Sequence, residues 1–303
     1  MILSLINNKG GVGKTTTAVN IAAGLARDGQ RVLLIDLDSQ GAASLSCGLR
    51  RTDLKPSIAD VLFQNTPIET VIRQTNTPNL SLLPGSAELA NADVHLSTAP
   101  AREQTLRNVL ETLRSKFDSI IIDCPPSLSS LSANALVASD QYLVPVPPHF
   151  LAIGGLASLL DAVNQLFESS DGQVADLMGF VLTLVDYRNR STTEVVQSLR
   201  ESWKENVLTT EIRINVKLTE APSHGQPIFE YAPDSTGAKF YRSLAKEIVE
   251  RHAAWIAAGD ESTEATATPG SATSQAPAPA ESPSAIPPSK TEPAPAGQET
   301  FVV

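Results

Sequence analysis

The run Asn8-Lys9-Gly10-Gly11-Val12-Gly13-Lys14-Thr15-Thr16 carries the residue types needed to hold a chain of phosphates. Its glycines let successive backbone N–H groups converge on phosphate oxygens. Lys14 brings a point charge for the outer phosphates, and the Thr15 hydroxyl is a ligand for Mg²⁺. Such a loop needs an apolar strand before it and a helix after it, so that the helix N-terminus adds its dipole. Residues 2–6 and 14–27 read as that strand and that helix. The dinucleotide-binding fingerprint is a weaker rival. Gly11 and Gly13 supply its first two glycines, but Thr16 stands at the third position and Lys14-Thr15 has no role in it. Asp36 and Asp38 follow the apolar run Leu33-Leu34-Ile35, and Asp123 follows Ile120-Ile121-Ile122. Each alone reads equally as a cap or loop residue. Together, at strand ends beside a phosphate loop, they suit Mg²⁺ and water. The matching chemistry is attack of water on a terminal phosphate, driven by positioning and electrostatics.

The elements that must hold these groups alternate along the chain. Strands are expected at 2–6, 31–35, 80–83, 119–122, 142–146 and 178–185, with a short one at 206–210. Helical spacing recurs at 14–27, 101–116, 128–139, 153–168, 191–203 and 235–256. This predicts an α/β fold of the P-loop NTPase class. Its sheet is mostly parallel and twisted, with helices on both faces. One domain is expected over 1–256. Residues 257–303 are rich in Pro, Ala, Ser, Thr and Glu, and read as a disordered tail that lacks the apolar surface to offset chain entropy. A docking site at the end of the tail is the alternative to a solubilising appendage.

Of 303 residues, 42% are apolar and 18% charged, which suits a packed core. Two cysteines, Cys47 and Cys124, exclude a disulfide framework and a paired-cysteine metal site, and point to a reducing cytosol. Cys124 reads as a small buried residue. No apolar run is long enough to span a membrane, and the N-terminus is too short and too soon interrupted for a secretion signal. The formal charge of −10 argues against nucleic acid, but it is unevenly spread. Half of it falls beyond residue 251, and residues 186–251 are neutral in sum.

The plain phosphate-loop pattern has glycine where this chain has Asn8, and this chain adds Lys9. Lys9-Gly10-Gly11-Val12-Gly13-Lys14-Thr15-Thr16 resembles the deviant Walker A box of the ParA/MinD ATPases. The resemblance implies ATP as substrate, and a homodimer in which Lys9 reaches the partner's ATP phosphates. Asp36 to Gly41 and Asp123 to Ser127 are similar to its two switch segments. Asp38 would then orient the attacking water, and Asp123 would be the Walker B carboxylate. Thr15, Asp36, Asp38 and Asp123 would surround Mg²⁺, with Asp36 shaping the site. Ser39 stands where the family usually has proline. The catalytic set so implied is Lys9, Lys14, Asp38 and Asp123.

Val144-Pro145-Val146-Pro147, Gly154-Gly155-Leu156 and Glu220-Ala221-Pro222-Ser223-His224-Gly225-Gln226-Pro227-Ile228 resemble the short, Soj-like ParA proteins. So do Tyr231-Ala232-Pro233, Gly237-Ala238 and Tyr241. Pro222 joins the implied nucleotide-binding residues. The Pro-rich end lacks a MinD-like membrane helix, no second cysteine suits a nitrogenase-type cluster, and the tail lacks the tyrosines of the related kinases. A first strand at residue 2 leaves no room for an N-terminal DNA-binding domain. The resemblance implies non-specific DNA binding on the nucleoid, in the cytoplasm, and a ParB-like or other cargo adaptor that stimulates hydrolysis. Lys239, Arg242 and Lys246 share one helical face, which by its pattern alone reads as an ordinary solvated face; the resemblance makes it a candidate for phosphate contact, with Arg188, Arg190, Arg213 and Lys217 as further candidates. The cargo could be DNA or a protein assembly. The rivals are a regulatory switch that ignores DNA, and a metabolic ATP-dependent ligase on the same fold.

Overall fold

A computed structural model describes residues 1–97, 102–170 and 174–266. In chain order the elements are β1 (Ile2–Leu5), α1 (Lys14–Arg27), β2 (Val32–Asp36), α2 (Ala42–Ser46), α3 (Ile58–Gln64), β3 (Arg73–Gln74), β4 (Leu80–Leu83) and α4 (Ala92–Ser97). Then follow α5 (Thr105–Glu111), β5 (Ser119–Asp123), α6 (Ser130–Ala138), β6 (Gln141–Val146) and α7 (Phe150–Ser169). The series ends with β7 (Asp176–Val185), α8 (Arg190–Trp203), β8 (Val207–Arg213), α9 (Val216–Glu220), α10 (Ile228–Tyr231) and α11 (Thr236–Thr266).

The strands form one eight-stranded sheet, ordered β3-β4-β2-β5-β1-β6-β7-β8. Every pair is parallel except β3 with β4. Apolar side chains alternate between two cores, as a period of two requires. Leu33, Ile35, Ile120 and Ile122 pack on one face with α3, α5, α6, α7 and α8. Leu3, Leu5, Val32, Leu34 and Ile121 pack on the other with α1, α10 and α11. Helices thus cover both faces, as expected of a parallel sheet whose strands are buried on each side.

Register then places the functional residues. Leu5 and Asp36 are both Cα partners of Asp123, on either side of it. The phosphate loop leaving β1 and the two strand-end aspartates therefore meet at the carboxyl ends of three inner strands.

Some elements differ from the sequence expectation. The helix expected at 101–116 is shorter: a 3₁₀ turn at Arg102–Gln104 leads into α5, and i→i+3 bonds such as Lys116 N–H to Leu113 carbonyl (2.9 Å) close it. Residue 101 lies outside the described residues. Residues 257–266, assigned to the tail, continue α11, and the rest of the tail lies outside the described residues. The chain divides into two compact units, Met1–Gly259 and Asp260–Val303. No helix among the described residues is long and apolar enough to cross a membrane.

Strand β8 is an edge, and an edge strand presents unpaired backbone groups. Here Glu247 of α11 accepts the Thr209 and Thr210 N–H groups at 2.7 and 2.8 Å. Arg200 of α8 donates to the Leu208 carbonyl at 3.2 Å. Replacing Glu247 with Ala removes two charge-assisted bonds from a half-buried site and should cost about 1–2 kcal/mol. The check is a lower melting temperature by scanning calorimetry, with more light scattering as the bared edge associates.

Candidate functional site

The phosphate loop closes around its own lysine. Lys14 is 6% exposed, and its Nζ donates to the carbonyls of Asn7 (3.1 Å) and Lys9 (3.0 Å). Burial lowers its pKa, opposed by the charges of Asp123, Cys124 and Asp38. Asn7 braces the start of the loop. Its Nδ2 donates to the Pro145 carbonyl (2.8 Å), and its Oδ1 accepts the Lys9 N–H (3.0 Å). The far side is held by Thr183 of β7, whose hydroxyl donates to the Val12 carbonyl (2.8 Å). Gly13 precedes the first turn of α1 at φ +87°, a conformation natural to glycine.

The aspartates divide into three environments. Asp36 is fully buried and well bonded. Its Oδ2 accepts from the Ser44 N–H (2.8 Å) and the Ser44 hydroxyl (2.7 Å), and its Oδ1 from the Asp38 N–H (3.2 Å). Burial still pushes its pKa up to about 6, the bonds from Ser44 and Asp38 restraining the rise. Asp38 is half-buried, and its Oδ1 accepts the Gln40 N–H (2.9 Å). It lines a cavity of about 300 Å³ between the two loops that follow β2 and β5, together with Gln40, Pro126, Ser129 and Asp93.

Asp123 differs from both. It is fully buried, and neither carboxylate oxygen has a hydrogen-bond partner. Burial, then the charge of Asp36, drives its pKa well above the usual carboxylate range. The neighbouring Thr15 hydroxyl and Lys14 ammonium draw it part of the way back, though Thr15 does not reach hydrogen-bond geometry. Two orphaned oxygens beside an ammonium and a hydroxyl fit a hard dication that still carries water. Among the described residues no three His, Cys, Asp or Glu side chains form a metal-holding group. The expected ring of Asp36, Asp38 and Asp123 is therefore not a protein cage for Mg²⁺, since the Asp36 oxygens are already bonded within the chain. A dication here would take its remaining ligands from phosphates and water.

Two cavities flank the loop. One of about 290 Å³ begins at Gly13 and Thr16 and runs past Thr183, Asn215 and Tyr241 to Pro222. The other, of about 380 Å³, is lined by Asn8, Lys9, Pro147, His149 and Gly155. Lys9 Nζ rests against Gly155 of α7, 3.1 Å from where a Cβ would stand. Gly10 and Gly11 are exposed, with open space where a Cβ would stand.

The candidate cations are spread over several elements, most of them beside an acidic or aromatic side chain. Arg188 precedes α8 and is paired with Asp186 (2.7 Å), and Arg190 opens α8 beside Glu194 (3.4 Å). Arg213 ends β8 over the Tyr187 ring, and Lys217 of α9 pairs with Glu220 (2.8 Å). On α11, Lys239, Arg242 and Lys246 are exposed, opposite the buried Ala238, Tyr241, Leu244 and Ile248. Lys246 is 3.7 Å from Glu250, and Arg242 lies over the Phe229 ring. Lys239 and Arg242 make no ion pair among the described residues.

Asn7, Ser44 and Thr183 were not among the residues expected from sequence. Asn7 sits one residue before the motif and could have been found there. Ser44 and Thr183 carry no local signal, because their partners are distant in the chain or in another element.

The AAA domain family matches residues 1–175. The sporulation initiation inhibitor protein Soj of Bacillus subtilis is 41% identical over 249 residues, spanning 82% of this chain and 97% of that protein. The chromosome-partitioning ATPase Soj of Treponema pallidum is 39% identical, again over 82% of this chain and 97% of its own. Among solved structures, a Mycobacterium smegmatis protein described as cobyrinic acid a,c-diamide synthase, with bound ADP and magnesium, superposes with a TM-score of 0.70. It is 32% identical, over 81% of this chain and 92% of that one. By its likeness to these relatives over most of its length, the chain belongs to the Soj/ParA family of P-loop ATPases.

Proposed function

We propose that this ATPase is a nucleotide-driven positioning switch. It binds ATP with Mg²⁺, dimerises across the nucleotide, holds to nucleoid DNA and carries a cargo. The observation that carries the nucleotide chemistry is Asp123, fully buried with both oxygens unpartnered beside Lys14. When bound there, Mg²⁺ supplies positive charge to the phosphate oxygens as negative charge builds on them.

The chain's own groups do the rest. Backbone N–H groups of Gly10, Gly11, Val12 and Gly13 converge on the phosphates, and Thr15 and Thr16 open the helix beneath them. Lys14 exchanges its carbonyl partners for phosphate oxygens. The base lies in the cavity that leads from Gly13 to Pro222. Asp38 is half-buried at a cavity mouth, where a carboxylate still meets water and can orient it. Asp36 shapes this segment from below.

Lys9 is an exposed loop residue on the rim of the 380 Å³ cavity, and in the dimer it reaches the partner's phosphates. A ParB-like or other adaptor stimulates hydrolysis and frees the dimer from DNA, a reading in keeping with the likeness to a chromosome-partitioning ATPase. The exposed stripe of Lys239, Arg242 and Lys246 on α11, with Arg188, Arg190, Arg213 and Lys217 ahead of it in sequence, supports phosphate contacts without base reading. Cytoplasmic, nucleoid-associated placement follows from that binding. A chromosome, a plasmid or a protein assembly is the cargo class, and the phosphate loop is common to all three.

Lys14→Ala should abolish ATP binding by equilibrium titration. Asp38→Ala should bind ATP normally and hydrolyse it roughly 10²–10⁴-fold more slowly. An Asp38→Ala protein with full activity would remove Asp38 from its role.

With ATP, binding to random-sequence DNA should weaken steeply with salt. Replacing Lys239 and Arg242 with Ala should flatten the log–log salt slope by roughly 0.9 for each phosphate no longer neutralised. A dimer that forms on ATP yet ignores DNA at low salt would favour the regulatory switch instead.

A further inference from the structure

We propose that Ser44 is a positioning residue for ATP hydrolysis, aiming Asp38 by way of Asp36. The inference rests on the reading of Asp38 as the group that orients the attacking water.

Ser44 lies in α2 and is fully buried, so it acts through its neighbours and not by touching substrate. Its backbone N–H and its hydroxyl both donate to Asp36 Oδ2, at 2.8 and 2.7 Å. With its proton committed to Asp36, the hydroxyl oxygen is free to accept the Gly85 N–H, at 3.1 Å. The other Asp36 oxygen accepts the Asp38 N–H at 3.2 Å. One chain of hydrogen bonds therefore runs from the loop after β4, through Ser44 and Asp36, to the backbone of Asp38.

Close packing makes this chain stiff. A Cβ on Gly85 would stand 2.7 Å from the carbonyl oxygens of both Asp36 and Asp38, so the two backbones are pressed together with no room for a side chain. Beyond Asp38, its carbonyl accepts the Gly41 N–H (3.0 Å) and its carboxylate the Gln40 N–H (2.9 Å). The Asp38 backbone is thus fixed on both sides, and its side chain projects from a turn anchored in the core. Ser44 joins the three parts of this anchor: α2, the end of β2 and the loop after β4.

Removing the hydroxyl leaves the Gly85 N–H without its acceptor and Asp36 Oδ2 with one donor instead of two. A buried N–H without a partner is costly, so the segment relaxes to satisfy it. Asp38 moves with the segment. The nucleotide-binding residues Gly10 to Thr16 belong to another loop and the first turn of α1, so the loss falls on turnover and not on ATP affinity.

The test compares Ser44→Ala, Ser44→Thr, Asp38→Ala and the double variant Asp38→Ala/Ser44→Ala by steady-state phosphate release, with ATP affinity measured by titration. Ser44→Ala should keep ATP affinity within about twofold and lose roughly ten- to a hundredfold in kcat, the scale set by small misplacements of a reacting group. Ser44→Thr keeps the hydroxyl and should recover most of the rate. The double variant should be no slower than Asp38→Ala, because both changes remove one function. Should Ser44→Ala not fold, Ser44→Cys, of similar shape but a weak donor, carries the same expectation. The proposal is overturned by wild-type kcat in Ser44→Ala. It is equally overturned if Ser44→Thr is as slow as Ser44→Ala, or if Ser44→Ala slows the Asp38→Ala protein by the same factor as the wild type. Full activity in Asp38→Ala instead defeats the underlying reading. A slow Asp38→Ala beside a fully active Ser44→Ala defeats only the role of Ser44.

Discussion

Asp36 and Asp123 end neighbouring strands in register, in a sheet whose strands lie about 4.8 Å apart. Both are fully buried. Burial disfavours their charged forms, the charge of Asp36 makes ionisation of Asp123 harder still, and that of Asp38 does the same to Asp36. A desolvated pair of this kind must be compensated group by group, and the surrounding architecture follows from how that is done. Asp36 is compensated inside the protein, by three hydrogen bonds that tie α2 and the Asp38 turn to the end of β2. Lys14 is compensated by two carbonyls of its own loop, which curls the loop into shape before any phosphate arrives. Asp123 receives no bond at all. That unpartnered carboxyl sits where a dication and phosphates would meet, and a preorganised polar site of that kind needs little rearrangement at the moment of reaction.

The sequence shows these groups well wherever the signal is local. Residues 80–83 read as a strand from their apolar run and form β4 with the same limits. The phosphate loop is legible because its glycines, lysine and threonine sit between a strand and a helix. The strand-end aspartates are legible because an apolar run stops at each. Illegible features depend on contacts between distant segments. Nothing near Ser44 announces Gly85, and nothing near Thr183 announces Val12. The short helices α2, α3 and α4 have too few residues for a periodic pattern to stand out. The two-residue β3 exists through its pairing with β4, against Leu82 and Ser81.

The C-terminal helix shows a local signal misread. Composition changes after Ile256, and a change of composition suggests a boundary. The run Ala253-Ala254-Trp255-Ile256-Ala257-Ala258 is nevertheless rich in strong helix formers, and α11 continues through it to Thr266. Tertiary contacts fix the helix just before that composition change. Trp255 Nε1 donates to Asp176 Oδ2 (2.9 Å), and His252 Nδ1 meets Gln141 Oε1 at 2.9 Å. Both partners are first residues of their strands, so α11 is pinned at the edge of the sheet opposite the phosphate loop.

Net charge and local pairing bear differently on DNA. A formal charge of −10 repels a polyanion at long range, but half of it lies beyond residue 251. At short range most candidate cations already have an acidic or aromatic neighbour. The cations of the four ion pairs are exposed, and such pairs contribute little, being screened by salt. A cation can leave such a neighbour for a phosphate at small cost, whereas a buried pair would hold it. Pairing therefore does not remove Arg188, Arg190, Lys217 or Lys246 from a phosphate-binding surface. It sets their resting arrangement. Dimerisation on ATP would double the surface without adding a residue, and so would couple the charged face to the nucleotide, a dependence that net charge alone cannot create.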